Sequence, residues 1–349
     1  MKKEYDFIIV GQGLAGTCLA NELLDNNKCV LVIDSPRIAS ASKVAGGLYN
    51  PITGRNMVLT WKAHDLFPFL IKYYLALGKK LGVKILHQMP LFRPFGSMLE
   101  LNEWQGKSTM SNFSPFIDFI STSPYHTEVV INDLGGIMLK QTGYLDTELL
   151  LISFRKLLRT NEMLLEDEFL PNNLNFEDNF VVYKEYRAKK LIFCDGANGI
   201  GNHLIKGIRF HSVKGEVLEL QLDGKLDFIL NRNAYVLPRN GEFLAGSNYN
   251  LTDSTWEPTL AAKNEIVTKI KRILSVNYKI IGHRAGVRPT THDRRPVLGV
   301  LPHRPELGVF NGLGTKGVSL APFFAHQFAN HLVNGAEMDK EVQIGRYFN

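Results

Sequence analysis

The chain has 349 residues, 45% of them apolar and 21% charged, and its 40 Lys and Arg against 34 Asp and Glu leave a formal net charge of +6. That length exceeds one ordinary domain and suits two interleaved ones with a substantial core, and no apolar run is long enough to span a bilayer. The surplus charge reads as a solvated basic surface; attraction of anionic substrates or RNA is the functional alternative, but no basic run is long or aromatic-interleaved enough to argue nucleic acid alone.

Met1-Lys2-Lys3-Glu4-Tyr5 enters a strand almost at once, which leaves no room for a signal peptide. Cys18, Cys29 and Cys194 have neither metal nor redox spacing and read as buried free thiols, so no metal site is expected and a reduced, cytoplasmic protein is. Phe7-Ile8-Ile9-Val10 is an apolar run of strand type. It ends in Gly11-Gln12-Gly13-Leu14-Ala15-Gly16, a helix-compatible stretch from Thr17 to Asn27, and a second β-rich run, Cys29 to Ile33, closed by Asp34. This is the order of a dinucleotide-binding unit. Gly11 permits the tight turn, Gly13 lets a pyrophosphate approach the backbone, and Gly16 lets helix and strand pack closely. The helix N-terminus offers free N–H groups to phosphate, and Asp34 can accept from ribose hydroxyls.

The small residues between Ile38 and Pro51 let a backbone lie against a flat ligand, with a flexible loop as the competing reading. Leu59 to Gly82 is mostly helical, with Pro68 bending or breaking it. From Val83 to Gln141 short strands and turns dominate, and Thr127–Ile131 with Ile137–Leu139 predict a hairpin. Asp146 is a candidate N-cap for a helix running through about Leu158. Lys190 to Cys194 is a strand ending in the glycine turn Asp195-Gly196-Ala197-Asn198-Gly199. Leu218, Leu220 and Leu222 alternate with Glu219 and Gln221, a half-exposed antiparallel strand. Phe228–Pro238, Phe243–Gly246 and Tyr278–Gly282 add strands, and Thr259–Leu274 an amphipathic helix. Gly308 to Phe310 is a strand, Asn311 to Gly317 a glycine loop, and Val318 to Leu332 a helix despite Pro322.

These residues resemble the flavin-dependent D-amino acid oxidase superfamily, especially glycine oxidase and its sarcosine oxidase relatives. The match runs through nearly the whole chain: GQGLAG, ASKVAGGLYNP, GYLD, LIFCDGANG, KGEVLEL, YVLPRNGEFLAGS, GVRPTTHDRRPVLG and GLGTKGVSLAP, in that order. The resemblance implies an α/β fold, a Rossmann-like FAD-binding domain interleaved with an antiparallel-sheet α+β substrate domain. It assigns residues 1–85, 140–209 and 283–349 to the first and 86–139 and 210–282 to the second.

It also implies FAD as cofactor. Gly11, Gly13 and Gly16 take the pyrophosphate and Asp34 the adenosine ribose, where most relatives have Glu. Ser40, Ser42, Ala45, Gly46 and Gly47 match the loop leading towards the flavin. Gly312, Gly314, Thr315, Lys316 and Gly317 match the segment whose N–H groups face flavin N1 and O2. Leu14, Ala15, Ser35, Gly196 and Arg288 complete the implied cofactor-binding set. Donors at a helix N-terminus, with Lys316 as a nearby cation, stabilise negative charge on the reduced ring; an exposed loop lysine is the competing reading. Relatives with covalent flavin use a cysteine near this loop and none stands here, so noncovalent FAD is expected.

The implied catalytic residues are Arg288, Tyr235 and Lys316. Arg288 matches the family's carboxylate-binding arginine, since a guanidinium fork suits a carboxylate bidentately. An interdomain salt bridge is its alternative role, and a core aromatic that of Tyr235. Asn233 stands where glycine oxidase has a histidine, and Tyr49 and Asn50 also depart from the family pattern, so substrate recognition differs. His283 and His292 flank the Arg288 motif without being required. The implied activity is oxidation of the C–N bond of a small amino acid or N-substituted glycine, with oxygen or another acceptor taking the electrons. An alternative is the FAD half of the bacterial tRNA wobble-uridine enzyme, which Arg294 and Arg295 beside the site favour and the missing methyltransferase half disfavours. A flavin-binding subunit without oxidase activity is another.

Overall fold

The computed structural model describes residues 2–348, and two large sheets dominate it. The first grows from Lys3–Val10. Phe7 to Val10 are buried, as are all four residues of Val30–Ile33, the pattern of strands covered on both faces. Lys3–Val10 pairs in parallel with Val30–Ile33 on one side and Tyr186–Phe193 on the other. Leu164–Leu165 extends the sheet beyond Val30–Ile33, and Arg304–Asn311 runs parallel to the end of Tyr186–Phe193. Helix Leu14–Asp25 packs against helix Gly317–Asn334, which also packs against helix Ala63–Leu81. Pro68 and Pro322 sit inside the last two without ending them. Gly82 ends Ala63–Leu81 in the left-handed conformation that glycine adopts without a Cβ penalty.

The second sheet runs Tyr278–Thr290, His211–Leu222, Glu242–Gly246, Ala234–Arg239, Ile229–Arg232, Leu91–Pro94, Gly136–Leu139 and Ile117–Ser121. Its pairs are antiparallel except Ile229–Arg232 with Leu91–Pro94. Leu218, Leu220 and Val236 bury one face with Ile266 and Ile270 of helix Leu260–Ile270. Thr259 caps that helix, its hydroxyl accepting from Ala262 N. The other face looks towards the first sheet. The 282/283 boundary falls within Tyr278–Thr290, whose pairing with His211–Leu222 continues to Thr290.

Three sequence expectations are corrected. Thr127–Ile131 is not a strand: the Asn132 side chain accepts from Tyr125 N at 2.6 Å and donates to Tyr125 O and Val130 O, which curls the segment into a turn. Gly136–Leu139 pairs instead with Leu91–Pro94 and Ile117–Ser121. Phe228–Pro238 is not one strand, because Asn233 takes φ +62 and folds Ile229–Arg232 back on Ala234–Arg239; asparagine is among the few residues that visit this region. Cys29 is exposed, in the short connection just before Val30, while Cys18 and Cys194 are buried.

Candidate active site

The nucleotide-type loop is shaped by close backbone contacts. Gly11 has φ +98, and a Cβ there would lie 2.6 Å from the Cys194 carbonyl oxygen. A Cβ on Gly16 would lie 1.9 Å from the Gly11 oxygen. No side chain caps helix Leu14–Asp25, so its first-turn N–H groups are available apart from Leu14, which donates to Ser42 Oγ at 3.1 Å. Ser40 in turn caps the short helix Ala41–Val44, which places Ser42 against the loop.

Asp34 closes the second strand beside this loop. Its Oδ1 accepts from Gln12 N at 2.9 Å and its Oδ2 from Arg155 Nη1 at 2.6 Å. Arg155, on helix Thr147–Thr160, also donates to the Gln12 side chain, the Asp34 carbonyl and Glu166. Nothing in the sequence singles it out. Each carboxylate oxygen keeps a lone pair for a ligand, and Arg155 fixes which way those point. Removing Arg155 as Arg155→Ala should therefore weaken FAD by about 1–3 kcal/mol, as Asp34→Ala should, and the double variant should lose less than the sum. Quenching of flavin fluorescence on titrating apoprotein measures this; strict additivity would detach Arg155 from Asp34.

The third turn and the C-terminal loop meet through Asn311, another residue that sequence reading missed. Its Nδ2 donates to Asp195 Oδ1 at 3.2 Å and to Gly196 O at 3.0 Å, and its Oδ1 accepts from Gly312 N at 2.8 Å. Burial pushes the Asp195 carboxyl up to about 7. Gly312 and Gly314 take φ +76 and +54, which turns the chain into helix Gly317–Asn334. Lys316 Nζ donates to Thr53 Oγ1 at 3.1 Å and Thr60 Oγ1 at 2.9 Å. Burial, with like charge from Arg295 and Arg294, pulls its ammonium down to about 8.

The second sheet contributes Tyr235 and Arg288. The Tyr235 hydroxyl lies where a Cβ on Gly46 would come within 2.5 Å, and burial pushes it up to about 12. The Arg288 guanidinium covers Gly215, where a Cβ would meet both terminal nitrogens at 2.2 Å. Its Nη2 reaches Ser247 Oγ at 3.4 Å, and its Cζ is 5.6 Å from the Tyr249 ring centre. Nη1 is buried without a partner, and no carboxylate pairs with this side chain among the described residues. The interdomain salt bridge thus has no partner here. His283 turns away to Glu216 Oε2 at 2.8 Å. His292 is exposed on the cleft wall.

All these elements line one cleft of about 1630 Å³, larger than the roughly 300–1,000 Å³ of a drug-sized site. Every residue of the implied catalytic and cofactor-binding sets borders it except Gly16, which lies under the loop. Asp34 and Asp195 border it at strand ends of the first sheet, while Arg93 and Arg288 from the second sheet, with Arg55, Arg294, Arg295 and Lys316, supply a strongly cationic portion. The side-chain-free cradle at Gly11 and Gly13, the uncapped helix and the Arg288 fork without a protein carboxylate fit an extended dinucleotide with a carboxylate beside it.

Residues 6–331 match the family model described as FAD dependent oxidoreductase. Glycine oxidase of Bacillus subtilis (strain 168) is 22% identical over 375 residues, covering 98% of this chain and 95% of that protein. A tRNA 5-methylaminomethyl-2-thiouridine biosynthesis bifunctional protein of Marinobacter nauticus is 26% identical over 209 residues, 52% of this chain and only 33% of that longer protein. Among solved structures, glycine oxidase from Geobacillus kaustophilus superposes with a TM-score of 0.77 at 18% identity, over 96% of each chain, a likeness of fold. No helix among the described residues is long and apolar enough to cross a membrane.

Proposed function

Because this chain belongs to the FAD dependent oxidoreductase family, we propose that its cleft oxidises the C–N bond of a small amino acid or N-substituted glycine. One observation carries the reading: an arginine fork with no protein carboxylate opens on the same cleft as the glycine loops. Bound FAD supplies the two-electron acceptor, and oxygen or another acceptor restores it. The chain supplies position and charge. Arg288 holds the substrate carboxylate bidentately, which fixes the direction of the Cα–H bond. Tyr235, protonated at neutral pH, offers a hydroxyl beside Gly46. Lys316 places a positive charge in the loop that opens helix Gly317–Asn334. The neutral amine of the substrate gives up two electrons and one proton from Cα and a second proton from nitrogen as its C–N bond becomes C=N, and water then hydrolyses that imine to the oxo acid and ammonia or an amine. In this reading residues 1–85, 140–209 and 283–349 form the FAD-binding domain and 86–139 and 210–282 the substrate domain, with Arg288 reaching the substrate from the 283–349 segment, on a strand of the second sheet.

The test is aerobic incubation of the holoprotein with glycine, sarcosine, proline, D-amino acids and N-alkyl glycines, assaying the oxo acid and peroxide. Oxo acid with peroxide supports an oxidase, and oxo acid formed only with an added dye supports a dehydrogenase. Neither product from any of them supports a flavin-binding subunit instead.

Lys316 gives a pH-dependent expectation. Its folded value is lowered to about 8, so the positive charge is present below that pH and lost above it. Acetate binding, read from the flavin spectrum, should weaken as pH rises through about 8. Lys316→Met should bind acetate weakly and without that limb. Persistence of the same limb in the variant would remove Lys316 from anion binding.

A second reading is favoured by the exposed Arg55 and Arg294 on the cleft wall, which have no salt-bridge partner among the described residues, and by the tRNA-modifying relative. An N-substituted glycine carried on tRNA would use them for phosphate. Binding of tRNA should then fall steeply with salt as counterions are released. No binding at low salt discards it.

A further inference from the structure

The cleft holds a second arginine that this reading does not use. Arg93 lies on Leu91–Pro94 and is 6% exposed. Its neighbour Phe92 belongs to the core on the helix side of the sheet, so by strand alternation Arg93 faces the cleft, whose wall it forms. Its Nε is buried and makes no hydrogen bond. Nη2 donates to Arg55 O at 3.1 Å and stands 3.7 Å from Glu100 Oε1, too far for a hydrogen bond. The other Glu100 oxygen is taken by Arg232 Nη1 at 2.9 Å and Gly96 N at 2.8 Å. Two arginines thus share one carboxylate, leaving one positive charge uncompensated in a buried setting. Burial lowers the guanidinium to about 10, so it stays charged at neutral pH. A buried cation with an unmet donor is costly unless something anionic meets it.

Arg93 also has a defined place relative to Arg288. Phe92 pairs with Leu230, which puts Arg93 beside Asn231; Asn231 pairs with Tyr235, Tyr235 with Gly246, and Gly246 with Val217. Arg288 pairs with Val213 on that last strand. The two arginines flank Tyr235 five strand spacings apart, and because Val217 pairs with Arg284, Arg288 stands four residues further along its strand than the row of Arg93. Offsets of about 24 Å across the strands and about 13 Å along them put the two backbones roughly 27 Å apart on a flat sheet, a span that the two arginine side chains and the substrate share.

We propose that Arg93 is a second anion subsite, and that the substrate is an amino acid or N-substituted glycine bearing another anionic group at its far end. Arg288 takes the α-carboxylate and Arg93 the distal charge. This rests on the amino acid reading of Arg288, and it sets chain length as well as charge as a specificity determinant.

The test uses non-oxidisable probes on the FAD-loaded protein, with binding read from the flavin spectrum. The probes are α,ω-dicarboxylates from succinate to azelate, each against the monocarboxylate of equal length. Wild type should prefer one intermediate dicarboxylate by about tenfold or more. Arg93→Gln should abolish that preference and leave monocarboxylate binding within about twofold, whereas Arg288→Ala should weaken both classes. If Arg93→Gln fails to hold FAD, Arg93→Lys, which keeps charge but not the fork, is the arm compared. A wild type without preference, a preference that survives substitution, or equal weakening of both classes overturns the proposal. So does loss of FAD by both variants, which would assign Arg93 to the fold. Binding needs no turnover, so a clear preference with no amino acid oxidised would fault the proposed reaction and not this subsite.

Discussion

Arg288→Ala should cost about 3–5 kcal/mol in kcat/KM while FAD content stays near wild type. The guanidinium lies over Gly215 with one terminal nitrogen buried and unpartnered. A carboxylate there gains a charge-assisted, bidentate pair in a site partly closed to water, and the same pair aims the Cα–H bond. Losing both binding and aim explains the size of the effect. Arg288→Lys keeps the charge and loses the fork, so it should be damaging and not conservative. Reduction of the flavin by dithionite should survive in both. Near-normal amino acid turnover by Arg288→Ala would remove it from the substrate site. Joint loss of folding and FAD would return it to a structural role.

Gly16→Ala should largely empty the protein of FAD. The added methyl would sit 1.9 Å from the Gly11 oxygen and 3.1 Å from the Gly11 carbon. Both are backbone atoms, so the loop itself must move by more than an ordinary packing adjustment. Overpacking of this kind costs about 1–3 kcal/mol in stability. Each N–H displaced from a phosphate costs about 1–3 kcal/mol more in cofactor affinity. Gly106→Ala is the matched control: a Cβ there meets nothing within 4 Å, on the helix Met98–Lys107, and alanine should stabilise the helix by about 0.5–1 kcal/mol. Thermal melts and flavin absorbance per mole of protein report both. Equal FAD content in the two variants would show that the loop tolerates a shifted backbone.

The first sheet and its glycine loop were legible because their signals are local. Strand, glycine loop, helix and acid follow one another within the first 34 residues, and each glycine acts on a neighbour close in sequence or in the paired strand. The second sheet was less so. Thr127 to Ile131 has the composition of a strand, yet one asparagine side chain turns it. Asn233 is polar among strand residues, and only its positive φ shows the reversal. Arg155 and Arg93 were missed for a common reason. Arg155 meets Asp34 across 121 residues of sequence, and Arg93 reaches the cleft through strands brought together from distant segments. Neither residue has a local pattern that distinguishes it from a surface arginine. Arg288 stood out only because its motif is shared with a family.

The most direct test of the central claim compares each amino acid with the amine that lacks its carboxylate. The holoprotein is mixed anaerobically with glycine or methylamine, sarcosine or dimethylamine, proline or pyrrolidine, and longer acidic pairs. Loss of the oxidised flavin's visible absorbance is then followed. An Arg288 fork with no protein carboxylate on the cleft that carries the glycine loops predicts bleaching by at least one amino acid and none by its decarboxylated partner. Equal bleaching by both members of a pair, or no bleaching by any amino acid across the panel, would contradict it.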